Sequence, residues 1–238
     1  MFVVYKKRHD WYYFRMESEN TTHRIKTAVL VSGGGTNLQA LIDEEKRMIS
    51  CGEVCPYKIE IVVSSTKDAY ALERAAAAGI KSVVVSPASV LGAAYTRSTP
   101  RDVKRLAVSD KVLSLCRENG IEAIVLAGFL TVLSGDIVSE YSGKIINLHP
   151  ALLPKFGGVG MWGHHVHEAV LAAGETESGC TVHLVDAGCD TGKILLQRKV
   201  PVMPGDTPET LYARIAPLEH EAMVEGLKLL SASLSRRS

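Results

Sequence analysis

Cysteine is scarce and follows no pairing pattern: five residues, Cys51, Cys55, Cys116, Cys180 and Cys189, an odd number with no C-x-x-C pair. That spacing encodes neither a disulfide framework nor a zinc knuckle, so the thiols are expected to be reduced and the chain cytoplasmic. An excess of charge is missing too. Lys and Arg number 27 against 26 Asp and Glu, which leaves no overall basic field to hold a nucleic acid. Long apolar runs are absent: the stretch Ile121 to Leu133 is interrupted by Glu122 and falls short of the roughly 20 residues that a membrane helix requires. Aromatic residues make up only 6% of the chain, yet Phe2, Tyr5, Trp11, Tyr12, Tyr13 and Phe14 crowd its start, among Lys6, Lys7 and Arg8. Such a segment can stack on nucleic acid. The expected reading is an appended, disordered or mis-started tail, with Met16 as the true start, and residues 1–24 are set outside the fold.

What is present describes an ordinary globular protein, one large domain or at most two small ones: 238 residues, 46% hydrophobic, with 20 glycines. From Ile25 onward short β-branched runs alternate with segments of helical period. The runs Ile25–Val31, Lys58–Ser64, Ser82–Val85, Glu122–Ala127, Lys144–Leu148, Gly179–Asp186 and Ile194–Val200 predict strands. Asn37–Met48, Ala69–Ala78, Asp102–Asn119, Gly135–Tyr141, His164–Ala173 and Pro208 to about Ser231 predict helices. This rhythm predicts an α/β fold, a doubly wound, mostly parallel sheet with helices on both faces, over residues 25–231, followed by a tail at 232–238. The alternation breaks in two long loops, Pro87 to Pro100 and Pro150 to Gly163. Ligands of such sheets bind at the carboxyl ends of the strands, so polar residues just after strands are the candidates.

The first predicted strand ends in Ser32-Gly33-Gly34-Gly35-Thr36-Asn37 and runs straight into a helix. Glycines permit a tight turn, and the free amides of a helix N-terminus favour a phosphate. The Lys-Ser/Thr of a nucleoside-triphosphate loop and the third spaced glycine of a dinucleotide fingerprint are both missing, which points to a single sugar phosphate. A plain strand-to-helix turn capped by Thr36 or Asn37 is the equal alternative. Further on, Asn147 and His149 stand two apart at a strand end, aimed to one side by the period of the strand, before Pro150-Ala151-Leu152-Leu153-Pro154. A second cluster, Asp186-Ala187-Gly188-Cys189-Asp190-Thr191-Gly192, lies between two late strands, its glycines suggesting a loop able to close over a ligand.

In order and spacing, Ser32–Asn37, Leu126-Ala127-Gly128-Phe129-Leu130, Asn147–Pro154 and Asp190-Thr191-Gly192 resemble the phosphoribosylglycinamide formyltransferases. The likeness spans about residues 25–231. The N-x-H-P-x-L-L-P element marks the wider group using 10-formyltetrahydrofolate, and the glycine turn narrows it.

The resemblance implies a formyl transferase of purine biosynthesis that moves the formyl group of 10-formyltetrahydrofolate to the amine of glycinamide ribonucleotide, without metal, nucleic acid or membrane, as a monomer or homodimer. It implies Asn147, His149 and Asp190 as the catalytic set. The Asn147 amide and a protonated His149 would stabilise the formyl oxygen, and Asp190 would favour the imidazolium. Gly35, Thr36 and Asn37 would hold the phosphate and Glu219 the ribose hydroxyls. Leu130, Thr131, Val132 and Leu133, with Asn147 and the loop Asp186, Ala187, Gly188, Cys189 and Asp190, would line the folate slot, and Arg105 would meet the folate's glutamate tail. Read without the resemblance, Glu219 is a solvated helix face and Leu130–Leu133 plain core.

The chain departs from the pattern at Thr131, where members often carry Arg, and at Val159, where a glycine-rich subgroup often carries Lys. The group His164, His165 and His167 suggests a metal, but adjacent histidines point to different helix faces without zincin spacing. His183, within Thr181-Val182-His183-Leu184, could reach the site from its strand, but is expected mainly to pack. A methionyl-tRNA formyltransferase, with its further basic domain, and a folate-hydrolysing relative, with an N-terminal regulatory domain, are the competing members of the wider group. A non-catalytic nucleotide binder would have no need of the Asn147, His149 and Asp190 trio.

Overall fold

The computed structural model describes the backbone of residues 2–7 and 10–15 and the full residues 23–92 and 99–236. Strands β1 (Phe2–Lys7) and β2 (Asp10–Arg15) form an antiparallel two-stranded sheet of their own. The main sheet is built from β3 (Ile25–Val31), β4 (Tyr57–Ser64), β5 (Lys81–Val84), β6 (Ala123–Leu126), β7 (Ile145–His149), β8 (Glu177–Leu184) and β9 (Ile194–Pro201), in the order β5-β4-β3-β6-β7-β8-β9. The first five of these are parallel, whereas β8 runs antiparallel to both β7 and β9. The seven strands fall where the sequence places them, within a residue or two, and the sheet is mostly parallel as expected.

Near-continuous apolar runs mark strands covered on both faces. Ala28, Leu30 and Ile124 face one core and Val29, Val31 and Val125 the other. Helices α1 (Thr36–Ser50), α2 (Tyr70–Ala77) and α7 (Pro208–Ser235) cover the second of these faces, while α4 (Arg101–Glu118) and α5 (Asp136–Glu140) cover the first. Helix α1 buries Leu38, Leu41 and Ile42, the i, i+3, i+4 stripe of an amphipathic helix.

The expected loop from Pro87 to Pro100 opens instead with a short helix, α3 (Pro87–Leu91). Ser86 caps it by accepting from the Ser89 N–H while the Ser89 hydroxyl accepts from the Ser86 N–H. Helix α6 (His164–Ala172) matches the sequence reading, and α7 runs past the expected end near Ser231 to Ser235 because Leu234 continues its buried stripe.

The chain passes from β3 to β4 and β5 on one side, then crosses back to β6 on the other. The crevice above the carboxyl ends of β3 and β6 is therefore a topological switch point, where such sheets hold ligands. No helix among the described residues is long and apolar enough to cross a membrane.

Candidate active site

Two separate groups of polar residues line the carboxyl edge of the sheet. The first is set by strand register. β7 pairs with β8 so that Asn147 stands opposite His183 and His149 opposite Thr181, and directly opposed side chains on one face are neighbours. The Asn147 Nδ2 lies 3.1 Å from His183 Nε2. His183 Nδ1 donates to the Leu184 carbonyl at 2.9 Å, so in the neutral ring the bare Nε2 accepts from the Asn147 amide and fixes which way that amide points. His183, expected mainly to pack, thus belongs to the site. The only trace of this in the sequence is its place on a strand facing Asn147.

Asp190 closes the group from the β8–β9 loop. One carboxylate oxygen lies 3.5 Å from His149 Nδ1 and the other 3.5 Å from His183 Nε2. The Gly158 N–H donates to the same carboxylate at 3.0 Å. Burial alone would raise the Asp190 carboxyl, but a proton on the facing His183 Nε2, which only the charged ring carries, together with the Gly158 N–H and the charge of His149, outweighs it and holds it below the usual range.

His149 is buried, and its Nε2 donates to the Phe156 carbonyl at 2.7 Å. Burial pushes its pKa down, with Asp190 and the Phe156 carbonyl restoring only part. The ring is therefore held closer to its neutral form than the sequence suggests, while a proton arriving at Nδ1 meets the Asp190 carboxylate. Thr181 braces the loop that follows: its hydroxyl donates to the Ala151 carbonyl at 2.6 Å and accepts from the Leu153 N–H at 3.1 Å.

The glycines flanking Asp190 serve close packing. A Cβ on Gly192 would fall 1.8 Å from the Leu184 carbonyl oxygen and one on Gly188 2.0 Å from Thr191 Oγ1. Asp186 ties the loop together, accepting from the Gly188 N–H at 3.0 Å and from Thr191 Oγ1 at 2.7 Å.

The second group surrounds the glycine turn. Helix α1 begins after Gly35 with no side-chain cap and no acidic residue in its first turn, leaving its first amides for an anion. Glu219 on α7 is only 6% exposed, so it is no solvated helix face. Burial pushes its carboxyl up to about 7, against a hydrogen bond with Asn37 that lowers it. The turn and Glu219 are thus brought together across α1 and α7.

Between the groups, Leu130 and Val132 are exposed beside the crevice, whereas Leu133 is turned into the core. The Ser32 hydroxyl accepts from the Leu130 N–H at 2.9 Å, tying this segment to the end of β3. Arg105 is exposed on α4, and its positive charge lowers the pKa of the Cys189 thiol, against the larger effects of burial and Asp190 that raise it. The three clustered histidines diverge: His164 and His165 reach Glu168, while His167 is buried against Tyr212.

This arrangement suits transfer of an acyl-type group: an amide donor, an imidazole and its carboxylate at one strand end, and an anion turn at another. A family model described as formyl transferase matches residues 25–227, and the chain belongs to that family. It is 44% identical over 214 residues to the trifunctional purine biosynthetic protein adenosine-3 of Drosophila pseudoobscura pseudoobscura, covering 90% of this chain but 14% of that protein. It is also 37% identical over 208 residues to the chloroplastic phosphoribosylglycinamide formyltransferase of Arabidopsis thaliana, covering 87% of this chain and 66% of the relative. Among solved structures, glycinamide ribonucleotide transformylase 1 from Symbiobacterium toebii superposes with a TM-score of 0.75 at 35% identity, covering 89% of each chain.

Proposed function

We propose that the chain transfers the formyl group of 10-formyltetrahydrofolate to the amine of glycinamide ribonucleotide. The observation that carries this reading is the convergence of Asp190, some 40 residues further along the chain, on Asn147 and His149 at the carboxyl end of β7, in a chain whose relatives bear names of that activity. The folate supplies a carbonyl carbon on N10, and attack by the amine puts negative charge on its oxygen.

The Asn147 amide, oriented by His183, donates to that oxygen, and loss of such a donor typically costs about 10²–10³ in rate. The His149 Nε2–H leaves the Phe156 carbonyl for the same oxygen. With the ring protonated and Asp190 facing Nδ1, the Nε2 proton passes to the leaving nitrogen, and the emptied Nε2 then takes up the proton released by the attacking amine, restoring the imidazolium. Gly35, Thr36 and Asn37 hold the phosphate and Glu219 the ribose hydroxyls. The folate ring lies against Leu130, Thr131, Val132 and the loop Asp186 to Asp190, with Arg105 toward its carboxylate tail.

A cytoplasmic location belongs to the same reading, supported by the buried free thiols of Cys55, Cys116 and Cys180. The test mixes purified protein with 10-formyl-5,8-dideazafolate and glycinamide ribonucleotide and follows the absorbance of the deformylated product. Turnover is expected, and folded protein that is inert with both substrates overturns the reading.

A further inference from the structure

Three successive carbonyls of the glycine turn are held from one side. The Ser32 carbonyl accepts from Thr66 Oγ1 at 3.3 Å, the Gly33 carbonyl from the Ala71 N–H at 3.1 Å and the Gly34 carbonyl from Arg74 Nε at 2.8 Å. Thr66 precedes α2 and Ala71 and Arg74 lie within it, so all three donors come from the stretch 66–74. In a planar trans peptide the N–H points opposite to the C=O. Holding these carbonyls toward α2 therefore turns the N–H groups of Gly33, Gly34 and Gly35 the other way, in series with the uncapped first turn of α1. Successive amides so aligned form an anion nest.

Arg74 is the cationic member of this scaffold, and it is itself fixed. Its Nη1 donates to Gln39 Oε1 at 3.0 Å, and its guanidinium carbon lies 5.0 Å from the centroid of the Tyr70 ring. Gly35 is pressed against the same helix: a Cβ there would lie 2.6 Å from the Ala71 Cβ.

We propose that Arg74 is a positioning and specificity residue for the phosphate: by anchoring the Gly34 carbonyl it sets the Gly35 N–H for a phosphate monoester and adds a positive charge behind the nest. This inference rests on the nucleotide reading above, but its test does not need formyl transfer. Inorganic phosphate is titrated into wild type, Arg74→Met and Arg74→Lys, each checked for folding by its thermal midpoint, with backbone amide shifts or calorimetry as the readout. The Met variant is expected to bind phosphate about tenfold more weakly and the Lys variant to recover to within about threefold of wild type, because Lys keeps the charge and one donor.

In turnover, Arg74→Met should raise KM for the nucleotide about tenfold, with kcat and KM for the folate within about twofold. Unchanged phosphate affinity in Arg74→Met, a wild type that shows no phosphate binding at the turn, or an equal rise in both KM values would overturn the proposal. A wild type inert in formyl transfer whose phosphate binding still follows Arg74 would sink the substrate reading and uphold the nest.

Discussion

Asp190 directs Oδ2 at His149 Nδ1 across 3.5 Å from a backbone in the left-handed region, φ 57°. Asn and Asp are the side-chain-bearing residues that adopt this conformation most readily. Asp190→Asn therefore keeps the loop and a possible acceptor for the Gly158 N–H while deleting the charge that faces His149. We expect kcat to fall by about 10²–10³, with nucleotide affinity by calorimetry within about twofold of wild type. Unchanged turnover would remove Asp190 from the proton path.

Glu219 links the site to pH. Its carboxyl is pushed up to about 7 from an ordinary 4.5 by burial, only partly opposed by Asn37. Between these values the folded protein holds a proton that the unfolded chain has released, so stability falls as pH rises through that window and the whole cost stands above it. The shift corresponds to roughly 3 kcal/mol. Glu219→Gln carries no such cost. Urea unfolding should show the variant more stable than wild type at pH 8 by up to about 3 kcal/mol and close to it at pH 4.5, while nucleotide affinity drops at both. A stability difference independent of pH would mean that Glu219 is not held protonated by its burial.

The strands were legible because each is an apolar run bounded by turn residues, and Asn147, His149 and Asp190 because their motifs stand at strand ends. Strand direction was not legible: β8 alternates no differently for being antiparallel, and only the register Asn147 to His183 reveals a pair across 36 positions. Glu219 carries no sequence signal of its burial beyond the family likeness, since the folding of α7 over α1 decides it. Arg74 reads as an ordinary helix-surface cation. Its grip on Gly34, 40 residues earlier, depends on how α2 packs on the turn. The loop glycines carry a demand that the sequence does not show: Gly188 and Gly192 read there only as freedom for the loop to close, whereas contact distances leave no room for a side chain at either.

The packing of the turn on α2 yields its own prediction. Gly35 has φ 70°, and an added Cβ would meet both the Cβ and the Cα of Ala71, the latter at 2.8 Å. Gly35→Ala thus combines a disfavoured backbone with a steric clash, and we expect a loss of about 1–3 kcal/mol together with weaker phosphate binding. Ala71→Gly in the same chain removes the Cβ clash but not the backbone strain. The double variant should recover part of the stability, and a double-mutant cycle with no coupling would show that the contact does not constrain the turn.

Thr36 separates the needs of the helix from those of the ligand. It is exposed at the first position of α1, whose first turn has no acidic residue. A carboxylate there complements the helix dipole by about 0.3–1 kcal/mol, so Thr36→Asp should keep or raise the thermal midpoint. The same carboxylate faces the amides that would hold a phosphate and repels a dianion. Nucleotide affinity should therefore fall tenfold or more by calorimetry, in a protein no less stable than wild type. Stability and affinity moving in opposite directions is the signature of an anion seated on the N-terminus of α1, whereas undiminished affinity would place the phosphate elsewhere.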